Sequence, residues 1–251
     1  MRLRRNELCT LSLVMTMFSC TTPDKTTDND TTTRGPYADI EPLVEEILTA
    51  EEQAALTPDE VIQSLKEGNQ RFINNDLTAR NHTEQVRKST HGQFPKAVIL
   101  SCLDSRIPVE DVFDKGIGDI FVARVAGNFI NEDILGSMEF GCRVAGSKII
   151  MIMGHESCGA VKAAIDKVEM GNITRMLAKI NPAVEQSQSY EGEKTSANGE
   201  FVSYVSKNNV KLNIEAIRSE SPILKEMEEK DEIKIIGSIY DMDSGLVTFF
   251  D

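Results

Sequence analysis

The chain has no excess of positive charge, no internal repeat and few cysteines, and each shortage excludes something. Its 27 Lys and Arg residues stand against 40 Asp and Glu, for a net charge of −13. That balance argues against a nucleic-acid binder, whose affinity rests on neutralising phosphates. The apolar stretch near the start, "LCTLSLVMTMFS" at residues 8–19, is too short to span a bilayer as a helix. What is present is ordinary for a soluble globular protein: 251 residues, 40% hydrophobic and 27% charged. That length supports one large domain or two small ones with a sizeable core. The acidity reads as solubility.

The first residues do not belong to the fold. "MRLRRNE" carries Arg2, Arg4 and Arg5, the apolar stretch follows, and small residues come after it. This is the layout of a secretory signal. The stretch ends in "FSC" at Cys20, which resembles the lipobox of bacterial lipoproteins. In that family the signal is cut before the cysteine, which is then lipidated. Met17 and Phe18 stand where the usual pattern has Leu and a small residue, so a plain secretory signal and an uncleaved anchor stay open beside it. "TTPDKTTDNDTTTRGP", residues 21–36, is polar, cannot bury a core and reads as a disordered tether. The expected organisation is a signal peptide over 1–19, a lipidated Cys20 and tether over 20–36, and one catalytic domain over 37–251. The expected location is the periplasm or cell envelope after export, with membrane contact only through the lipid.

Cysteine usage is in tension with export. Cys9 lies in the signal and Cys20 at the lipid site, which leaves Cys102, Cys142 and Cys158. Exported proteins tend to pair their thiols, yet three cannot all pair within one chain. At least one has another role.

The elements are legible from pattern. "TPDEVIQSLKEGNQRFINN" opens with Thr57 as N-cap, Pro58 in the first turn and Glu60 closing a capping box, which predicts a helix. "KAVILSC", "DIFVARV" and "SKIIMIMGH" read as strands, the first and third buried on both faces. "NEDILGSMEFGCRVAG" predicts a helix from Asn131 to the Gly146 stop, and "CGAVKAAIDKVEMG" one ending at Gly171. Strands of this kind alternating with helices predict an α/β fold with a central, mostly parallel sheet flanked by helices. The back half predicts two more helices, "GEFVSYVSKNNVKLNIEAIRSE" and "SPILKEMEEK". In "EIKIIGSIYDMDSGLVTFF" it then gives a strand, a turn at Asp243-Ser244-Gly245 and a C-terminal edge strand or hairpin. The stretch "NPAVEQSQSYEGEKTSANG" is weakly patterned and its boundary is left open.

Chemistry concentrates at two strand ends, where open parallel sheets place their sites. "SCLDSR" puts Cys102, Asp104 and Arg106 behind one strand, and "GHESCGA" puts His155 and Cys158 behind another. Two thiolates and an imidazole form a zinc set, and catalytic zinc sites use three protein ligands with the fourth position open. Zinc ligation also explains why these cysteines need not pair. Arg106 can hold the Asp104 carboxylate through a bidentate bond. Asp104 then either ligates the fourth zinc position or accepts a hydrogen bond from a zinc-bound water. Zinc lowers the pKa of such a water toward neutrality, and the expected nucleophile is a zinc-bound hydroxide. Cys142 reads as a small core hydrophobe, and His82 and His91 as structural or exposed.

"CLDSR" followed by "GHESCGA" resembles the β-class carbonic anhydrases, and the resemblance runs from about Thr57 to Phe250 through "LKEGNQRF", "FVARVAGN", "GSMEFG", "SPIL" and "GSIYDMDSGLVTFF". It implies a zinc lyase that interconverts carbon dioxide and bicarbonate. Cys102, His155 and Cys158 would bind zinc, with Asp104 and Arg106 as the catalytic dyad. By the same resemblance Gln93 in "GQFPK" hydrogen-bonds bicarbonate, and Phe121 lines the apolar carbon dioxide pocket. Phe140, a further substrate-binding position, stands where many members have Tyr, which implies one polar contact fewer. The family forms dimers with the active sites at the interface, and often tetramers, so a homodimer whose aromatics reach the partner's site is implied. The chain has no Trp. Ile99 stands where some bacterial members carry the Trp of a regulatory bicarbonate site, although Arg124, a further member of that site, is retained. The alternatives are hydrolysis of carbon disulfide or carbonyl sulfide on the same fold, and a catalytically silent zinc-bound scaffold.

Overall fold

The structure, a computed structural model, describes residues 43–250. The signal peptide, Cys20, the tether and the first residues of the expected domain lie outside the described residues. Helices α1 (Ala50–Ala55), α2 (Pro58–Ile73) and α3 (His82–Ser89) precede the first strand, β1 (Ala97–Ser101). Then follow α4 (Val109–Val112), β2 (Ile120–Arg124), α5 (Glu132–Glu139), β3 (Ile149–His155), α6 (Gly159–Ile165), α7 (Gly171–Leu177) and α8 (Asn181–Gln186). The chain closes with α9 (Gly199–Glu220), α10 (Pro222–Glu229), β4 (Lys234–Tyr240) and β5 (Val247–Phe250).

The strands form one sheet in the order β2-β1-β3-β4-β5. The first four are mutually parallel, and β5 returns antiparallel to β4. The parallel strands β1 and β3 are buried throughout, as apolar runs covered on both faces must be. One face packs Val98, Leu100, Ile150 and Ile152 against Val210, Ile214 and Ile217 of α9. The other packs Ala97, Ile99, Ile149 and Met151 against Val61 and Leu65 of α2 and Val112 of α4. The period of two along each strand sorts the residues between these cores. Because the chain leaves β1 toward β2 on one side and later returns to β3 on the other, the sheet changes direction between β1 and β3. A crevice opens outside the strand ends at such a switch point.

Local signals act as the sequence predicts at α2, where Thr57 Oγ1 accepts from the Glu60 N–H and the Glu60 side chain accepts from the Thr57 N–H. The β4–β5 hairpin forms as expected. In its turn Asp241 Oδ1 accepts from the N–H groups of Asp243 and Ser244 at 2.8 and 2.9 Å.

Two predicted helices have different extents. The one expected over 131–146 is α5 followed by a π-helical turn, Phe140–Val144, closed by an Ala145 N–H to Phe140 C=O bond of 3.0 Å. The turn widens where the backbone is pressed onto the sheet: a Cβ on Gly141 would lie 2.4 Å from Val98 Cγ2. The one expected to end at Gly171 stops at Ile165. Lys167 adopts φ 54°, and the Lys167 and Val168 N–H groups return to Ala164 and Ala163 C=O at 3.1 and 3.0 Å. That pair of bonds is a Schellman cap, and Gly171 instead opens α7. The open stretch 181–199 holds α8 and a short 3₁₀ turn, Ser187–Ser189.

Candidate metal centre

The C-terminal ends of neighbouring strands deliver three donors to one point. Cys102 follows β1 directly, His155 is the last residue of β3, and Cys158 caps the start of α6. Between the last two the chain reverses through Ser157, held at φ 52°. The strain of a left-handed non-glycine residue is what lets ligands three apart face the same space. All three donors are buried, and their ligating atoms lie within 4.8 Å of one another. The two Sγ atoms are 3.9 Å apart and both thiols are free. Two thiolates at the usual zinc–sulfur distance on a tetrahedral ion would sit about 3.8 Å apart.

The imidazole fits the same reading. A carbonyl can only accept, so the 2.8 Å contact between His155 Nδ1 and Glu156 C=O fixes the proton on Nδ1. Nε2 is then a lone pair, buried and without a hydrogen-bond partner. An orphaned buried acceptor is costly, and a ring whose other nitrogen is anchored on a carbonyl is the usual form of a metal-bound histidine. The hydrogen bond it shares with Cys158 pulls the Cys102 thiol well below its usual range. The same contact, with burial, pushes Cys158 far up. The metal-free pair therefore keeps one proton, and making it dianionic calls for a cation between the sulfurs. The donor set fits zinc.

Asp104 is not among the clustered donors. Its Oδ1 accepts from the Arg106 backbone N–H at 3.0 Å and from Nε at 2.9 Å, and its Oδ2 from Nη2 at 2.7 Å. This grip by Arg106 holds the carboxyl well below the usual carboxylate range. Of the two positions open to Asp104, on the metal or beside it, the structure has it turned to Arg106. Arg124 is committed as well: its Nε donates to Cys102 C=O at 2.9 Å and its Nη2 to Asp104 C=O. It clamps the loop that carries the site. Ile99 is wholly buried in the sheet core, where its apolar side chain offers an anion no hydrogen-bond donor.

The three residues assigned to substrate lie apart from the donors within one chain. Gln93 is exposed in the loop before β1, at the opposite end of that strand from Cys102. Phe121 pairs in register with Val98, near the start of β2. With Phe140, Val98 and Ile134 it lines a groove of about 760 Å³ along the free edge of the sheet, and no donor borders that groove. Phe140 is largely exposed there, and Leu103, next to Cys102 in the chain, is exposed as well. Cys142 is buried in the core, and burial pushes its thiol up to about 12. His82 and His91 are exposed. Sequence reading missed the loop after β2: the Gly127 N–H donates to Cys102 Sγ at 3.3 Å, and the Gly127 C=O accepts from Asn209 Nδ2 at 2.9 Å. A signal existed in Asn209 and Asn213, two amides one helical turn apart on an otherwise apolar face.

Comparison with known proteins gives a consistent picture. Residues 97–247 match the family model described as carbonic anhydrase. Carbonic anhydrase 2 of Mycobacterium tuberculosis is 41% identical over 112 residues, which cover 44% of this chain and 54% of that protein. The chain thus spans about half the length of the curated relatives it matches. A carbon disulfide hydrolase of Acidithiobacillus thiooxidans is 35% identical over 74 residues, 28% of this chain and 36% of that one. Among solved structures, the β-carbonic anhydrase CafA of Aspergillus fumigatus superposes with a TM-score of 0.61 at 26% identity, covering 77% of this chain and 90% of that one. The β-carbonic anhydrase CcaA gives a TM-score of 0.60 at 22% identity, covering 76% and 95%.

Proposed function

The chain belongs to the carbonic anhydrase family, in its β-class fold, and from that premise we propose that it catalyses the reversible hydration of carbon dioxide to bicarbonate and a proton. One observation carries the reading: Cys102, His155 and Cys158 converge within 4.8 Å, with His155 Nε2 left unpartnered, beside a carboxylate already fixed by Arg106. Zinc held by these three donors would supply a Lewis acid and, with it, a nucleophile at neutral pH. The protein's part is placement. Asp104 stays ionised across neutral pH, so it serves as a hydrogen-bond acceptor that orients the nucleophile rather than as a base that stores the proton. Arg106 fixes that acceptor, and Arg124 fixes the loop beneath it.

The substrate pocket is completed by a second copy of the chain. β2 is an edge strand, only half-buried, and an unpaired edge invites another chain. The exposed Phe140 borders the same side. A homodimer across this edge supplies apolar walls from Phe121 and Phe140 for carbon dioxide, and the Gln93 amide as a donor to bicarbonate. A fungal relative of the same fold is described as tetrameric. We further propose export and anchoring through a lipidated Cys20. The basic start, the short apolar run and the polar tether support it. Among the described residues no helix is long and apolar enough to cross a membrane. Mass spectrometry of the native N-terminus tests the anchor, and a mature chain without a lipid on Cys20 would rule it out.

The test of function is stopped-flow hydration of carbon dioxide by the zinc-loaded full chain, with carbon disulfide and carbonyl sulfide offered in parallel. Hydration far above the buffer rate is expected. Sulfide release from carbon disulfide without hydration would favour the hydrolase that the Acidithiobacillus relative suggests, and silence toward all three would leave a zinc-bound scaffold.

A further inference from the structure

The loop after β2 turns through left-handed backbone and is held by a buried device on α9. Gly127 and Asn128 are consecutive left-handed residues, at φ 83° and 38°. The loop is also pressed tightly inward: a Cβ on Gly127 would lie 2.4 Å from Ile180 Cδ1 and 3.3 Å from Ala160 Cβ. A glycine takes up that conformation freely and an asparagine at small cost, so what fixes this turn is its surroundings. The surroundings here are two amides. Asn209 Nδ2 donates to Gly127 C=O at 2.9 Å, and Asn213 Oδ1 accepts from the Ile130 N–H at 2.7 Å. Asn213 Nδ2 in turn donates to Asn209 C=O at 2.7 Å and approaches Asn209 Oδ1 at 3.3 Å. Both asparagines are buried among Val205, Val210, Ile214 and Ile217, where an amide belongs only if its hydrogen bonds are made.

Between them the two bonds pin the loop on both sides of its turn, and the turn aims one group: the Gly127 N–H, 3.3 Å from Cys102 Sγ. We propose that Asn209, oriented by Asn213, is a positioning residue for the metal centre, which keeps the Gly127 N–H on the Cys102 sulfur and so sets how much charge that thiolate gives to the metal. The proposal rests on the reading that Cys102, His155 and Cys158 bind zinc. A donor on a ligating thiolate lowers the energy of its lone pairs, which weakens its push on the metal and leaves the ion the stronger Lewis acid. Groups that orient ligands in this way are worth about 10- to 100-fold in metal affinity. A purely structural role, satisfying one buried carbonyl, would leave the sulfur's electronics unchanged.

The experiment loads the full chain with Co²⁺ as a spectroscopic probe and measures Zn²⁺ affinity by competition with a chelator. In Asn209→Ala the sulfur-to-cobalt charge-transfer band should move to longer wavelength, because the sulfur lone pairs rise in energy. Zn²⁺ affinity should nonetheless fall about tenfold or more, because Cys102 is no longer held in its ligating position before the ion binds and that loss of placement outweighs its stronger donation. Asn213→Leu, which keeps Asn209 but removes its support and the Ile130 bond, should shift both in the same direction by less. It decides the question if Asn209→Ala does not fold. Ile217→Val, which loosens the same helix two turns on, should leave the band in place. Folded asparagine variants with the wild-type band and wild-type affinity would overturn the positioning role while the metal centre stands. A wild-type chain that takes up neither ion would overturn the metal centre and this proposal with it.

Discussion

Replacing Arg106 by Ala tests the dyad most directly, because the structure shows how much of the grip on Asp104 is lost. Three donors hold the carboxylate. The variant keeps the backbone N–H on Oδ1 at 3.0 Å and loses Nε at 2.9 Å and Nη2 at 2.7 Å. Oδ2 loses its only protein partner among the described residues, so the carboxylate stays tethered by one oxygen and turns about it. A catalytic group displaced by about an ångström costs on the order of a hundred-fold. That is the expected fall in kcat/KM, with one zinc per chain retained because Arg106 touches no donor. Asp104→Ala removes the acceptor itself and should cost more, toward ten-thousand-fold. Arg106→Lys should recover little, because an ammonium cannot match both oxygens as the planar fork does. The assay is stopped-flow hydration with a pH indicator, alongside metal analysis of each variant. An Arg106→Ala enzyme within about threefold of wild type would show that the carboxylate needs no fixed orientation and refute this role.

Three other outcomes are expected. Asp114 is buried, which pushes its carboxyl up, yet hydrogen bonds from Arg80, Thr78 and Arg71 outweigh this and hold it at about 2. Its folded value lies below the unfolded one, so its contribution is full above about pH 4 and lost as pH falls through about 2. Asp114→Asn should cost about 3 kcal/mol at neutral pH in urea unfolding and flatten the acid limb of the stability profile; an unchanged midpoint would refute it. A Cβ on Gly68 would lie 1.8 Å from the Phe113 carbonyl oxygen. Gly68→Ala should therefore destabilise by about 2 kcal/mol or more, and a wild-type Tm would count against the close packing of α2. Initial rates against bicarbonate, at constant ionic strength, should show no sigmoidal loss, because Ile99 is buried and Arg124 is committed to two carbonyls. Cooperative inhibition would mean that this loop rearranges.

Much of the fold was legible because its signals are local. A capping box at Thr57 and Glu60, apolar runs at 97–101 and 149–155, and a Ser-Pro start at 221 each state their element within a few residues. The two halves of the metal site were legible for the same reason: donor residue types at the ends of apolar runs. The helix expected to reach Gly171 was misjudged because a left-handed cap at Lys167 has no strong signature in a residue that normally avoids it. The π-helical turn after Glu139 was not legible, since it answers a contact between Gly141 and Val98, distant in the chain.

The sequence by itself determined which residues are the candidates for the chemistry, because Cys102, Asp104, Arg106, His155 and Cys158 are named by type and spacing. Only the tertiary structure decided what they do together. The strand order set β1 beside β3, which brings Cys102 within reach of residues over fifty positions away. Asp104 was free, on pattern alone, to face the metal or Arg106, and three hydrogen bonds chose Arg106. The same folding put Phe121 and Phe140 on an open sheet edge rather than beside the donors, and set Asn209 behind Gly127. The reason is physical: spacing along a chain fixes neighbours within a turn or a strand, while contacts across a sheet are settled only when the cores on both its faces are packed.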